Sequence, residues 1–116
     1  MPEDRFQVRP EPEHARYVLL DRNEDGNRDL AIGEEDYVDV ADQRVFYHTV
    51  VSEDYGGQGL ASVLVRAAVE DTIAAGLAIV PVCPYVKGWL PKHPEYAEHV
   101  VNPRPEHLQA IPAEAG

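Results

Sequence analysis

The sequence predicts a mixed α/β (α+β) fold in which an antiparallel meander feeds one parallel strand pair around a central helix. Three observations carry that expectation. Up to Val51 apolar residues alternate with polar ones or cluster in short β-branched and aromatic runs. After Gly59 the period changes: Leu60, Ala61, Leu64, Val65, Ala68 and Val69 recur at three- and four-residue spacing. A short apolar run, Leu77 to Val82 (LAIVPV), then follows the glycine at position 76.

Taken in order, Phe6 to Val8 and Arg16 to Leu20 (RYVLL) are expected to be extended, as is Asp36 to Val40 (DYVDV), which mixes polar and apolar side chains in a strand-like pattern. Arg44 to Val51 (RVFYHTVV) is β-branched and aromatic with no proline, which suits a central strand better than an edge. The helix after Gly59 ends at Gly76, a natural C-cap. Leu77 to Val82 suits a buried strand, and a strand, helix, strand connection pairs it in parallel with Arg44 to Val51. A shorter helix is expected over Tyr85 to Leu90, stopped by Pro91. From Val101 the chain holds three prolines and little periodicity, so residues 1–103 are read as one domain and 104–116 as a proline-rich tail, loosely docked or disordered.

The chain has 116 residues, enough to bury roughly two thirds of the surface its unfolded form exposes. One cysteine, Cys83, excludes an internal disulfide; with no signal-peptide pattern it points to the reducing cytoplasm. No apolar run reaches the length of a membrane span, so no membrane partner is expected. Twenty-one acidic residues against ten basic ones give a formal charge of -11, which repels a nucleic-acid backbone. Nine of the acids lie between Asp21 and Asp42, against two arginines. That face is a solubilising surface, and it would also steer cationic amines inward.

Within it, DRNEDGNRDLAI (Asp21 to Ile32) has oxygen-bearing side chains at loop positions 1, 3, 5 and 9 and glycine at 6, the pattern of a calcium loop. Position 12 must carry a bidentate carboxylate and is Ile32, and the preceding residues read as strand. A long hairpin turn is the favoured reading, a calcium-stabilised interaction domain the alternative. His93, His99 and His107 have no carboxylate or cysteine at ligand spacing, so no metal is expected.

The chemistry-bearing stretch is SEDYGGQGLAS, Ser52 to Ser62, with three glycines at the turn into the helix. Glycine lets a ligand approach the backbone, and the free amides of a helix N-terminus attract an anion. Neither nucleotide fingerprint fits, since the loop lacks a GK[ST] ending and no acidic ribose-binding residue follows.

Together HTVV (His48 to Val51), GQGLA (Gly57 to Ala61), PVCPYV (Pro81 to Val86) and KHPEY (Lys92 to Tyr96) resemble the short, stand-alone members of the GNAT superfamily of acyl-CoA N-acyltransferases. The resemblance runs from about Phe6 to Val101. It implies a minimal GNAT-like fold and transfer of an acetyl group from acetyl-CoA directly to an amine, a small molecule or a peptide lysine. The backbone amides of Gly57, Gln58, Gly59, Leu60, Ala61 and Ser62 would wrap the pyrophosphate. Val50 and Val51 would pair with the pantetheine arm. A splay between Thr49 to Ser52 and Val80 to Cys83 would hold the thioester.

Three positions depart from the family pattern. Gly56 stands where a basic residue or glutamine opens the pyrophosphate loop. Val50 replaces the carboxylate of HTE, so a candidate base is absent. Trp89 stands where relatives tend to have tyrosine, and an indole donates a hydrogen bond without acting as an acid. A coenzyme A binding module with weak or lost catalysis is therefore the second reading. The remaining catalytic candidates are Cys83, as acyl relay or pocket residue against a small buried hydrophobe; His48, as base or water relay against a packed ring; and Tyr85, as donor to the departing thiolate against an anchor for the short helix.

Overall fold

A computed structural model describes residues 5–22 and 30–113. Five strands form one sheet in sequence order: β1 (Phe6–Glu11), β2 (Arg16–Asp21), β3 (Leu30–Val40), β4 (Gln43–Val51) and β5 (Ala78–Pro81). The first four pair antiparallel, and β4 pairs with β5 in parallel. The crossover between them is α1 (Leu60–Ala74), and α2 (Pro84–Trp89) follows β5. β1 lies at the edge, where its Pro10 costs no ladder bond. The meander, the parallel pair and both expected helices are therefore present.

The helical period of α1 lays Leu60, Leu64, Val65, Ala68 and Val69 on one face of the sheet, against Tyr17, Leu19, Tyr37 and Phe46. Val86 and Trp89 of α2 join the same core. Residues one step out of phase, Val45 and Val80, point to the second face and are also fully buried.

β3 is longer than the alternation of Asp36 to Val40 implied. It begins at Leu30 and is interrupted twice: Ile32 is an extra residue opposite Leu19/Leu20, and Tyr47 on β4 is an extra residue opposite Asp36/Tyr37. A bulge flips the in-out phase of everything beyond it. Between the bulges β3 lies tight on β4, because a Cβ on Gly33 would come within 2.8 Å of the Val50 carbonyl oxygen. Only glycine permits that approach.

The first residue of the acidic turn, Asp21, ends β2 and pairs with Leu30, so strands flank the turn as a hairpin requires. The Asp21 carboxylate accepts from Arg5 Nε at 2.8 Å and from the Tyr55 hydroxyl at 2.5 Å. This is a strut between β2 and the loop before α1. Most of the candidate calcium loop, residues 23–29, lies outside the described residues.

The expectation of a loose tail needs correction. Val101 N–H donates to the Ile79 carbonyl at 2.8 Å, and Pro105–Ala110 forms a helix, α3. Pro105 starts it with a preset φ, and His107 holds it. The His107 ring is fully buried; its Nδ1 accepts from Arg104 N–H at 2.9 Å, which places the ring proton on Nε2, 2.6 Å from Gln43 Oε1. Gln43 shares its face of β4 with Val45, so α3 docks on the second face of the sheet. The proline count obscured a tertiary anchor. His107→Ala should lower unfolding free energy by about 2–4 kcal/mol, from lost packing and a stranded amide oxygen. Urea titration checks this; a change within about 0.5 kcal/mol would mean that α3 contributes no anchorage.

Candidate active site

The bulge at Tyr47 has a second effect. Parallel pairing of β4 with β5 stops at Phe46 opposite Pro81, and the N–H groups of Val82 and Cys83 both donate to the Phe46 carbonyl, at 3.0 and 2.9 Å. Beyond that point β4 runs on to Val51 with no strand among the described residues pairing its β5-side edge, while Pro84 turns the other chain into α2. The two chains diverge into a wedge. On β4 it opens at Tyr47 rather than Thr49, where pairing ends after Phe46, and on the facing chain at Val82 rather than Val80, because Val80 and Pro81 are still paired.

Beside the wedge lies the glycine bend. Glu53–Tyr55 make one 3-10 turn, with Ser52 Oγ accepting from Asp54 N–H. Gly57 (φ 81°) and Gly59 (φ 72°) take the left-handed backbone that favours glycine, with no atom within 4 Å of where a Cβ would sit. Gly59 is the N-cap of α1 and has no side chain to bond the first-turn amides, so those of Leu60, Ala61 and Ser62 face outward uncapped. The Ser62 hydroxyl accepts from Trp89 Nε1 at 2.8 Å, joining α2 to the start of α1. Trp89 is in turn stacked on His93, with ring centroids 3.8 Å apart.

At the back of the wedge three side chains form a line. Glu35 on β3 and Thr49 on β4 are register partners, and the Thr49 hydroxyl hydrogen-bonds Glu35 Oε1. The same hydroxyl lies 3.0 Å from Cys83 Sγ. Glu35 is 0% exposed, and its Oε2 has no partner among the described residues. Burial pushes its carboxyl up to about 8; the Thr49 hydrogen bond opposes this and the neighbouring Asp36 charge adds to it. A neutral acid is the form such a site favours.

A profile of the GCN5-related N-acetyl-transferases matches residues 16–100, from the start of β2 to the bridge that pairs Val100 with Ile79. The chain belongs to the GCN5-related N-acetyltransferases. The NMR solution structure of a GCN5-like protein from Staphylococcus aureus is similar, with a TM-score of 0.62 and 25% identity over 89% of this chain and 95% of that one. No curated protein matches in sequence.

In this member of the family the residues singled out from sequence fall into three groups. Cys83 lines the wedge, nearly buried, at the N-cap of α2. His48 does not join it. The bulge puts Thr49 on the α1 face, so His48 and Val50 project from the other side; His48 is exposed and stands opposite Asp36, whose carboxyl burial and Glu34 push up to about 6 while His48 and Arg16 pull it down. Val50 is 45% exposed and Val51 packs on the core, which leaves only their main chain for the wedge. Tyr85 is 40% exposed on α2, with burial raising its hydroxyl above the usual phenol range, and no hydrogen bond joins it to Cys83. Trp89 spends its indole donor on Ser62. Among the described residues no cluster of ligating side chains could hold a metal, and no helix is long and apolar enough to cross a membrane.

Glu35 and Thr49 were not singled out from the sequence. GEED reads as a solvated acid run, yet Glu35 is two residues from Tyr37, and strand parity assigns both to the core face.

Burial of Glu35 has a pH signature. Its carboxyl sits at about 8 in the fold against an ordinary 4.5, so the folded chain holds the proton more tightly than the unfolded one. That contribution is fully present below about pH 4.5 and is lost as pH rises through 8, on the order of a few kcal/mol. Glu35→Gln should raise the melting temperature at pH 9 while changing it little at pH 5. An equal change at both pH values would show that Glu35 is not a buried acid.

Proposed function

We propose that the protein transfers an acetyl group from acetyl-CoA directly to a primary amine. The observation that carries this reading is the wedge between β4 and β5 opening beside an uncapped helix N-terminus. The diphosphate would take the amides from Gly57 to Ser62, since no basic side chain lies on that bend and only main-chain donors are offered. The pantetheine arm would run along the unpaired edge of β4 at Val50 and Val51, leaving the thioester near Thr49 and Cys83.

An amine near an ordinary lysine pKa of about 10.4 must shed a proton before it attacks. A main-chain N–H on β4 can hold the developing oxyanion, and alignment of the two reactants is worth roughly 7–11 kcal/mol. The net charge of -11 favours a cationic acceptor and disfavours nucleic acid. One observation favours the second reading, a coenzyme A binding module: Trp89 uses its only polar hydrogen on Ser62 and offers nothing to the thiolate.

Calorimetry with acetyl-CoA, followed by chromatographic detection of released coenzyme A with lysine peptides, polyamines and small amines, tests both readings. Binding with amine-dependent release is expected. Gly59→Val, forcing a β-branched residue into positive φ, should weaken binding by about tenfold or more. Binding without release would favour the binding module, and absence of binding would contradict both.

A further inference from the structure

We infer that Glu35, Thr49 and Cys83 form a proton-donating chain whose outer end, the Cys83 thiol, protonates the sulfur that leaves when the acetyl group is transferred. The inference rests on the acetyl-CoA reading above and supplies what that reading lacks, an acid in the wedge. Trp89 is bonded to Ser62, and no hydrogen bond joins the exposed Tyr85 to Cys83.

The geometry is directional. Among the described residues Thr49 Oγ is the only bridge between the carboxyl and the thiol, touching Glu35 Oε1 on one side and Cys83 Sγ at 3.0 Å on the other. Toward an ionised carboxylate the Thr49 hydroxyl donates to Oε1. When Glu35 is neutral its carboxyl can donate to Oγ instead, which frees the Thr49 proton for Sγ, so a proton can pass from Oε1 to Oγ while another passes from Oγ to Sγ. The inner end is closed: Glu35 is fully buried and Oε2 meets no donor among the described residues, so an ionised carboxylate would be poorly compensated there. The outer end faces the wedge, because Cys83 is the last residue before the chain turns away into α2.

The surroundings favour a neutral Glu35. Tyr17, its register partner on β2, has its hydroxyl engaged by Asp71 and Arg44. On its own strand Asp36 adds a negative charge. On β4 stands Thr49, beyond it Cys83, and the inward face of α1 brings Leu60, Leu64, Val65 and Ala68, none charged. No cation is among the groups that shift Glu35.

The step balances without a further reactant. The amine nitrogen bonds to the acetyl carbon, the carbon–sulfur bond breaks, and its electron pair remains on the coenzyme A sulfur. That sulfur takes the Cys83 proton, Cys83 takes the Thr49 proton, and Thr49 takes the Glu35 proton. The surplus proton on the new amide nitrogen goes to water, and Glu35 regains one through the same chain once the wedge empties. Cys83 is thus the catalytic residue, and Glu35 and Thr49 position and replenish its proton.

Hydroxylamine, already neutral at pH 7, serves as a small acceptor so that its own titration does not mask the enzyme's. Acetyl-CoA binding is measured first by calorimetry; no binding overturns the acetyl-CoA reading and this inference with it. With binding present, enzyme-dependent coenzyme A release, taken above the rate of an enzyme-free control, should be level near pH 7 and fall as pH rises through about 8, the value of Glu35, because the ionised carboxyl has no proton to pass. Glu35→Gln and Thr49→Val should each lower kcat on the order of 10²-fold, the lower end of what lost acid–base assistance costs. KM for acetyl-CoA should stay unchanged, and the limb near pH 8 should be abolished. Thr49→Ser, which keeps the hydroxyl, should restore most of the rate and the limb. Binding without release from the wild-type chain, a limb that survives Glu35→Gln, or an acetyl adduct on Cys83 in the intact mass would each overturn the inference.

Discussion

One extra residue in β4 governs the rest of the structure. Tyr47 has no counterpart on β3, and at that point two things change together: the strand's phase reverses and its pairing with β5 ends. Without the bulge, His48 would share Phe46's inward face and Thr49 would point outward. With it, Thr49 turns inward to meet Glu35 across the ladder and Cys83 across the wedge. The same bulge leaves main-chain groups of β4 unpaired on the side where an extended ligand can add to the sheet, so one insertion both opens the site and furnishes it.

Placing a carboxyl at the back of that site carries a stability cost. Glu35 occupies a core position between Tyr17 and Thr49, where an apolar side chain would be stabilising at every pH. The fold tolerates it as a neutral acid with one hydrogen bond, to Thr49. Around it the scaffold is braced: Asp21 ties Arg5 to Tyr55, Trp89 ties α2 to Ser62, and Tyr96 bonds Glu70 at 2.6 Å. The first two struts fix the loop before α1 and tie the end of α2 to the start of α1.

Much of this was legible in the sequence. The period of Leu60, Leu64, Val65, Ala68 and Val69 gave α1 within a few residues, the β-branched run gave β4, and the crossover rule gave the parallel pair. Glycine at 57 and 59 marked the bend. What was hidden has physical causes. Bulges do not announce themselves in a two-residue period, so the facing of His48 and Thr49 could not be read from alternation alone. The acidic run at Glu34–Asp36 disguised the first half of β3, because charge is ordinarily a mark of solvent. α3 is six residues long, too short to be stable by propensity, and it exists because His107 meets Gln43, 64 residues earlier in the chain.

The account stands or falls on whether the wedge beside the glycine bend receives an acyl-CoA. Amide chemical-shift mapping of the isotope-labelled protein during an acetyl-CoA titration asks this most directly. The account predicts saturable shifts concentrated in Thr49 to Ser62 and Val82 to Trp89, with β1 and the first half of β2 unmoved. Unchanged spectra at millimolar acetyl-CoA, or shifts confined to the α3 face of the sheet, would contradict it.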